Sequence, residues 1–160
     1  MTTLIDHPPA QRDHQSDQRD RVYHDVFAWP TTIDNVTGEV RLRLGTVVDA
    51  LIMRAGFAAE VNNVLVRHMF RAPIITVPGN PADWIFITRP RTTLRQSVWE
   101  DLMRIQVGWK RRGQTILLPA LDNTTDGVRW LEQPQQHADL PPWTAVVAAA
   151  RKASSVCGAW

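Results

Sequence analysis

The sequence predicts an α+β fold: a mixed β-sheet with about three helices packed on it, in a single domain behind a disordered N-terminal tail. Three observations predict it. The chain has 160 residues, 44% hydrophobic and 21% charged, an ordinary composition for one globular domain that buries about two thirds of its unfolded surface. From Val40 onward, strand and helix periodicities follow one another as β-α-β-β-α-β-β-β-α. Ahead of them, residues 6–21 (DHPPAQRDHQSDQRDR) hold no large apolar side chain, too little to offset the entropy of ordering. Residues 1–24 are therefore expected to be a disordered polar tail, and residues 25–160 the domain.

The elements follow in order. Val26 to Trp29 is apolar and ends at Pro30, which suggests a short tucked strand, and Thr37-Gly38 reads as a turn. Val40, Leu42 and Leu44 alternate with Arg41 and Arg43, the period of a half-buried strand. Residues 46–53 (TVVDALIM) are nearly continuously apolar and β-branched at the start, so a doubly covered strand is preferred over a helix. Phe57, Val61, Val64, Leu65, His68 and Met69 fall at helical spacing over 57–70. Residues 72–77 and 83–88 read as strands, and Pro78-Gly79-Asn80-Pro81 between them predicts a hairpin. Thr93 and Gln96 form a candidate capping box for a helix over 93–105. Residues 107–110 and 114–118 flank Arg111-Arg112-Gly113 and read as a second hairpin. Val128 to Leu131 is a short last strand, and Pro141-Pro142 opens an alanine-rich helix to Ala153.

Charge is uneven. Residues 1–40 carry 3 basic and 7 acidic side chains, residues 41–112 carry 12 and 5, and the net charge is +2. The basic middle is almost all arginine, which suits bidentate contact with phosphate or carboxylate. Two groups stand out: Arg89, Arg91 and Arg95 around a helix start, and Lys110, Arg111 and Arg112 at a hairpin tip. These are the candidate nucleic-acid-binding residues, set about 20 Å apart if the groups lie at the two ends of the intervening helix. A solvated turn is the plainer reading of the second group. Of the 7 tryptophans, Trp84, Trp99, Trp109 and Trp130 lie on expected elements; core packing accounts for most, and base stacking is the functional alternative.

Motifs for chemistry are sparse. The glycines are isolated and no phosphate-loop or nucleophile-elbow pattern occurs. No His or Cys pair has zinc-ligand spacing, so neither a cofactor nor a metal is expected. His68 reads as a core or boundary residue, and His24-Asp25 as a structural dyad. The single cysteine, Cys157, and the lack of a secretory leader point to the cytoplasm. No apolar run approaches the roughly 20 residues of a membrane span, so no membrane partner is expected.

The stretches GWKRRGQTILLPAL and TTDGVRWLEQP within residues 108–134 resemble a late segment of the bifunctional DNA primase/polymerase N-terminal family, and more closely that of small actinobacterial primase/polymerase-like proteins. VVDALI (47–52), the helix at 57–70, PIITVPGNPADWIFITRP (73–90), VWEDL (98–102) and PPWTAVVAAARKA (141–153) extend the resemblance over about residues 40–153. Active members of that family carry paired carboxylates that hold two metal ions, hard cations that clamp the reacting oxygens, and a histidine on a later strand. The matching places here read Asp49-Ala50-Leu51 and Asp83-Trp84-Ile85-Phe86. One carboxylate cannot hold two metals. The resemblance thus implies a catalytically degenerate domain, with Asp49 at most a remnant, that keeps a basic groove for nucleic acid or nucleotide. Asp49 is otherwise read as a cap, an arginine partner or a solvent-edge residue. The alternative is a non-enzymatic module that meets another protein through exposed tryptophans and the acidic tail.

Overall fold

The computed structural model describes residues 9–122 and 127–156, with side chains from residue 14 onward. The fold is α+β, with four helices and two sheets among the described residues. The helices are α1 (Pro9–Phe27), α2 (Ala55–Arg67), α3 (Gln96–Arg104) and α4 (Trp143–Val156). The strands are β1 (Thr31–Ile33), β2 (Val40–Arg43), β3 (Asp49–Arg54), β4 (Ile74–Val77), β5 (Asp83–Thr88), β6 (Gly108–Trp109), β7 (Thr115–Leu117) and β8 (Arg129–Glu132).

The single mixed sheet expected from the sequence is instead two antiparallel sheets, ordered β1-β2-β7 and β6-β3-β5-β4-β8. The β3-α2-β4 unit suggested a parallel pair. Those strands do run in one direction, but β5 folds back from β4 and inserts between them. The β4–β5 hairpin forms as expected, from Ile74↔Phe86 to Val77↔Asp83.

Period-2 alternation makes the larger sheet the middle layer. Leu51, Met53, Ile74 and Phe86 face one core shared with α2 and α4. Val48, Ala50, Ile75, Ile85 and Ile87 face a second core shared with Leu42, Ile116 and Trp130. Helix α4 buries Trp143, Val146, Val147, Ala150 and Ala153, a stripe at helical spacing whose alanines let α2 approach.

Three local expectations are corrected. Residues 9–24 are not disordered: they belong to α1, which also takes in Val26 and Phe27 in place of a strand. Tyr23 is 1% exposed, its hydroxyl donates to the Pro119 carbonyl at 2.5 Å, and it accepts from Trp130 Nε1 at 2.8 Å. Its ring stacks on Trp29 at 5.9 Å and 2°, and the Ser16 hydroxyl donates to the Gly38 carbonyl. Two anchors a helical distance apart suffice where no apolar stripe exists. Residues 1–8 of the expected tail lie outside the described residues.

The second expected hairpin does not form. Strand β6 joins β3 and β7 joins β2, so residues 110–114 cross from one sheet to the other. Gly113, at φ +87°, donates its N–H to the Leu44 carbonyl, and the Gln114 carbonyl accepts from Leu44. The Arg-Arg-Gly turn signal was real, but a turn does not name the strands on either side. Helix α3, finally, starts at Gln96 behind an Arg95 N-cap with no side-chain hydrogen bond, so Thr93 and Gln96 form no capping box.

Trp29, Trp130 and Trp143 are buried, and Trp84, Trp99 and Trp109 pack against the core. Among the described residues, Trp84, Trp99 and Trp109 are thus half-buried and no tryptophan is fully exposed; Trp160 lies outside the described residues. No described helix is long and apolar enough to cross a membrane. Cys157 lies outside the described residues.

Candidate nucleic-acid interface

Strand direction decides where the charged residues collect. Strands β3 and β4 begin, and β5, β6 and β8 end, at one edge of the middle sheet, because Asp49 pairs with Thr88, Leu51 with Trp109 and Ile74 with Glu132. The residues just beyond that edge are Lys110–Arg112 after β6, Arg89 and Arg91 after β5, and Arg71 ahead of β4. Strands lie about 4.8 Å apart, so the row from β6 to β4 spans about 14 Å.

Asp49 opens β3 and is fully buried. Arg91 Nε donates to Oδ2 at 2.7 Å and Nη2 to Oδ1 at 3.0 Å, a bidentate pair. The Ala50 N–H adds 3.0 Å to Oδ1 and the Arg91 N–H 3.3 Å to Oδ2. Both carboxylate oxygens are thus spent on donors, and Asp49 is an arginine partner. The Arg91 guanidinium lies 5.3 Å from the Trp143 ring centroid, a cation–π contact, and also donates to the Lys110 carbonyl. Arg91 neutralises Asp49 and fastens the 110–114 crossing to the end of β5. No group of three or more potential ligands for a metal ion occurs among the described residues.

That last contact corrects the expected spacing. The Arg89–Arg95 and Lys110–Arg112 groups are not at opposite ends of a helix, because β6 brings the chain back to the edge that β5 left. Arg89 is exposed, with Nε on the Leu140 carbonyl at 3.0 Å and its N–H on the Pro141 carbonyl at 2.9 Å. Arg95 is exposed at the start of α3. Lys110 is half-buried and Arg111 and Arg112 are exposed. The Arg111 N–H is held by Gln114 Oε1 at 2.7 Å, and Arg112 lies across Gly45.

The sequence reading missed Arg71. It flanks a strand in a region with no charge cluster, and only the sheet order brings it to the row. Among the described residues, Arg71, Arg89, Arg95, Lys110, Arg111 and Arg112 make no ion pair. By contrast, Asp101 is shared by Arg104 and Arg151. His68 is an exposed C-cap of α2 beside Lys152 rather than a boundary residue, and the His24–Asp25 dyad is exposed.

No protein-family model, curated protein or solved structure matches this chain.

Proposed function

We propose that the chain is a non-catalytic nucleic-acid-binding domain of the cytoplasm, of the degenerate primase/polymerase-like kind, whose cationic sheet edge contacts the phosphate backbone of a single strand. The observation that carries the reading is the row of unpaired cations, Lys110, Arg111, Arg112, Arg89 and Arg71, along one edge of one sheet. Unpaired guanidinium groups set in a line offer a polyanion successive contacts, and each contact releases counterions. Arg95 extends the surface toward α3. Arg91 serves it indirectly, by fixing Lys110. The fully occupied carboxylate of Asp49 supports a domain that does no metal-dependent nucleotidyl transfer.

The test is a titration of labelled single-stranded DNA at two salt concentrations, with the parent protein and Lys110→Ala/Arg111→Ala/Arg112→Ala. The expected result is binding that weakens with salt, and a log–log slope smaller by about 2 in the triple variant, three phosphate contacts at about 0.7 each. Absence of binding at low salt, or an unchanged slope, overturns the reading.

A further inference from the structure

We propose that a cleft beside the cationic row binds a phosphomonoester whose organic body carries N–H or O–H donors. The cleft has a volume of about 290 Å³, and its lining includes Arg71, Arg89, His137, Glu132, Asp139 and Phe27. It lies on the face of the middle sheet opposite α2 and α4, since Val48 and Trp29, members of the second core, also line it.

The two arginines carry the inference. Ile74 pairs with Phe86, and the Ile87 N–H donates to the Pro73 carbonyl. Both arginines line the cleft, Arg71 just ahead of β4 and Arg89 just after β5. Neither guanidinium has a carboxylate within ion-pair distance among the described residues. Arg89 is also oriented: its Nε on the Leu140 carbonyl and its N–H on the Pro141 carbonyl fix the fork and leave both terminal nitrogens without a partner among those residues. Two unpaired forks on one cleft fit a doubly charged anion better than the single charge of an internal phosphodiester.

The rest of the lining is of other chemistry. Glu132 ends β8, and Asp139 and His137 sit on the loop before α4. These carboxylates, unpaired with Arg71 and Arg89, accept hydrogen bonds from hydroxyl or amino groups. Phe27, Val26, Val47 and Leu140 give the cleft an apolar side. Its volume is at the small end of ligand pockets, about 300–1,000 Å³, the scale of a mononucleotide or sugar phosphate. The phosphate has two possible sources, a free small molecule or the phosphorylated end of a nucleic-acid strand reaching Arg89 along the row. Only the second rests on the nucleic-acid reading.

Calorimetric titration with adenosine monophosphate, with adenosine as control, tests the cleft. The monophosphate is expected to bind at least about tenfold more tightly than adenosine, and Arg71→Ala to remove that margin, the loss of one charge-assisted contact. Arg71 is exposed, so this variant keeps the test valid should Arg89→Ala loosen the loop at Leu140. Equal affinity for nucleoside and monophosphate, no binding of either, or an unaltered Arg71→Ala variant overturns the inference. Oligonucleotides with a 5′-phosphate or a 5′-hydroxyl then separate the sources. A preference for the phosphate that Arg71→Ala removes assigns the cleft to a strand end; monophosphate binding without that preference assigns it to a free small molecule. If the monophosphate binds and no oligonucleotide does, the cleft stands and the nucleic-acid reading falls.

Discussion

Asp49 and Arg91, 42 residues apart in the chain, close a two-pronged ion pair in which the carboxylate is wholly inside and the guanidinium side chain is 24% exposed. The asymmetry has an energetic consequence. Removing Arg91 strands a buried negative charge, whereas removing Asp49 leaves a cation with a route to solvent.

Arg91→Ala is therefore expected to cost about 3–5 kcal/mol of unfolding free energy, the usual penalty for breaking a buried pair from one side. Asp49→Ala is expected to cost less, and Arg91→Lys roughly 1–3 kcal/mol, because an ammonium cannot make the fork. Urea unfolding of the three variants measures the order. A cost for Arg91→Ala no greater than for the exposed Arg129→Ala would show that the pair does not stabilise the fold.

Tyr23 is the only tyrosine in the chain, and burial pushes its hydroxyl up from 10.0 to about 12. The folded state therefore holds the phenolic proton more tightly than the unfolded state. Stability from this group is full below pH 10 and is lost as pH rises from 10 to about 12. A shift of about two units corresponds to roughly 2–3 kcal/mol. Tyrosinate absorbance should report the raised value directly, and the stability loss in this window should vanish in Tyr23→Phe. Ionisation near 10 in the folded protein would place the ring in solvent.

Shortening the chain to begin at Asp25 deletes Tyr23 and with it the acceptor of the Trp130 indole N–H. Burial of an aromatic ring makes this a loss of about 3–5 kcal/mol, enough to unfold a marginal domain. Tyr23→Ala should reproduce most of the loss in the full chain. Thermal melting of both tests it; melting temperatures within a few degrees of the parent would mean that α1 is not part of the fold.

Gly45 turns the chain into β3 at φ +105°, and a Cβ there would stand 2.8 Å from the Arg112 Cα. Neither strain nor collision can be relieved by a side-chain rotation. Gly45→Ala is expected to destabilise by roughly 1–3 kcal/mol and to weaken DNA binding, because the 110–114 crossing must move. Unchanged DNA affinity in a folded Gly45→Ala protein would detach the crossing from the interface.

The elements that were legible in the sequence are those whose signals are local. Residues 83–88 were read to the residue because DWIFIT is an apolar, β-favouring run between turn residues and an Arg-Pro stop, and the Pro78–Pro81 turn named their partner strand. Helix α1 was not legible because its inner face is one tyrosine and one serine rather than a stripe. The six basic residues proposed from the sequence were grouped by chain proximity. Arg91 left the exposed set because Asp49 claims it, and Arg71 joined because β4 lies beside β5. Both facts depend on strand order, which short-range periodicity does not encode.

Two partners in the three-stranded sheet are far apart in the chain: β2 pairs Arg41 of that strand with Leu117 of β7, and the whole of β3 to β6 lies between them. Closing so long a loop is entropically costly, and non-local pairing slows folding. Strands β3 to β5 and helix α2, by contrast, follow one another directly in sequence. The expected order of assembly is the middle sheet first and the β2–β7 ladder late. Until that ladder closes, the apolar side chains of the second core stay open to solvent, so a nascent chain remains prone to association until residue 117 has docked.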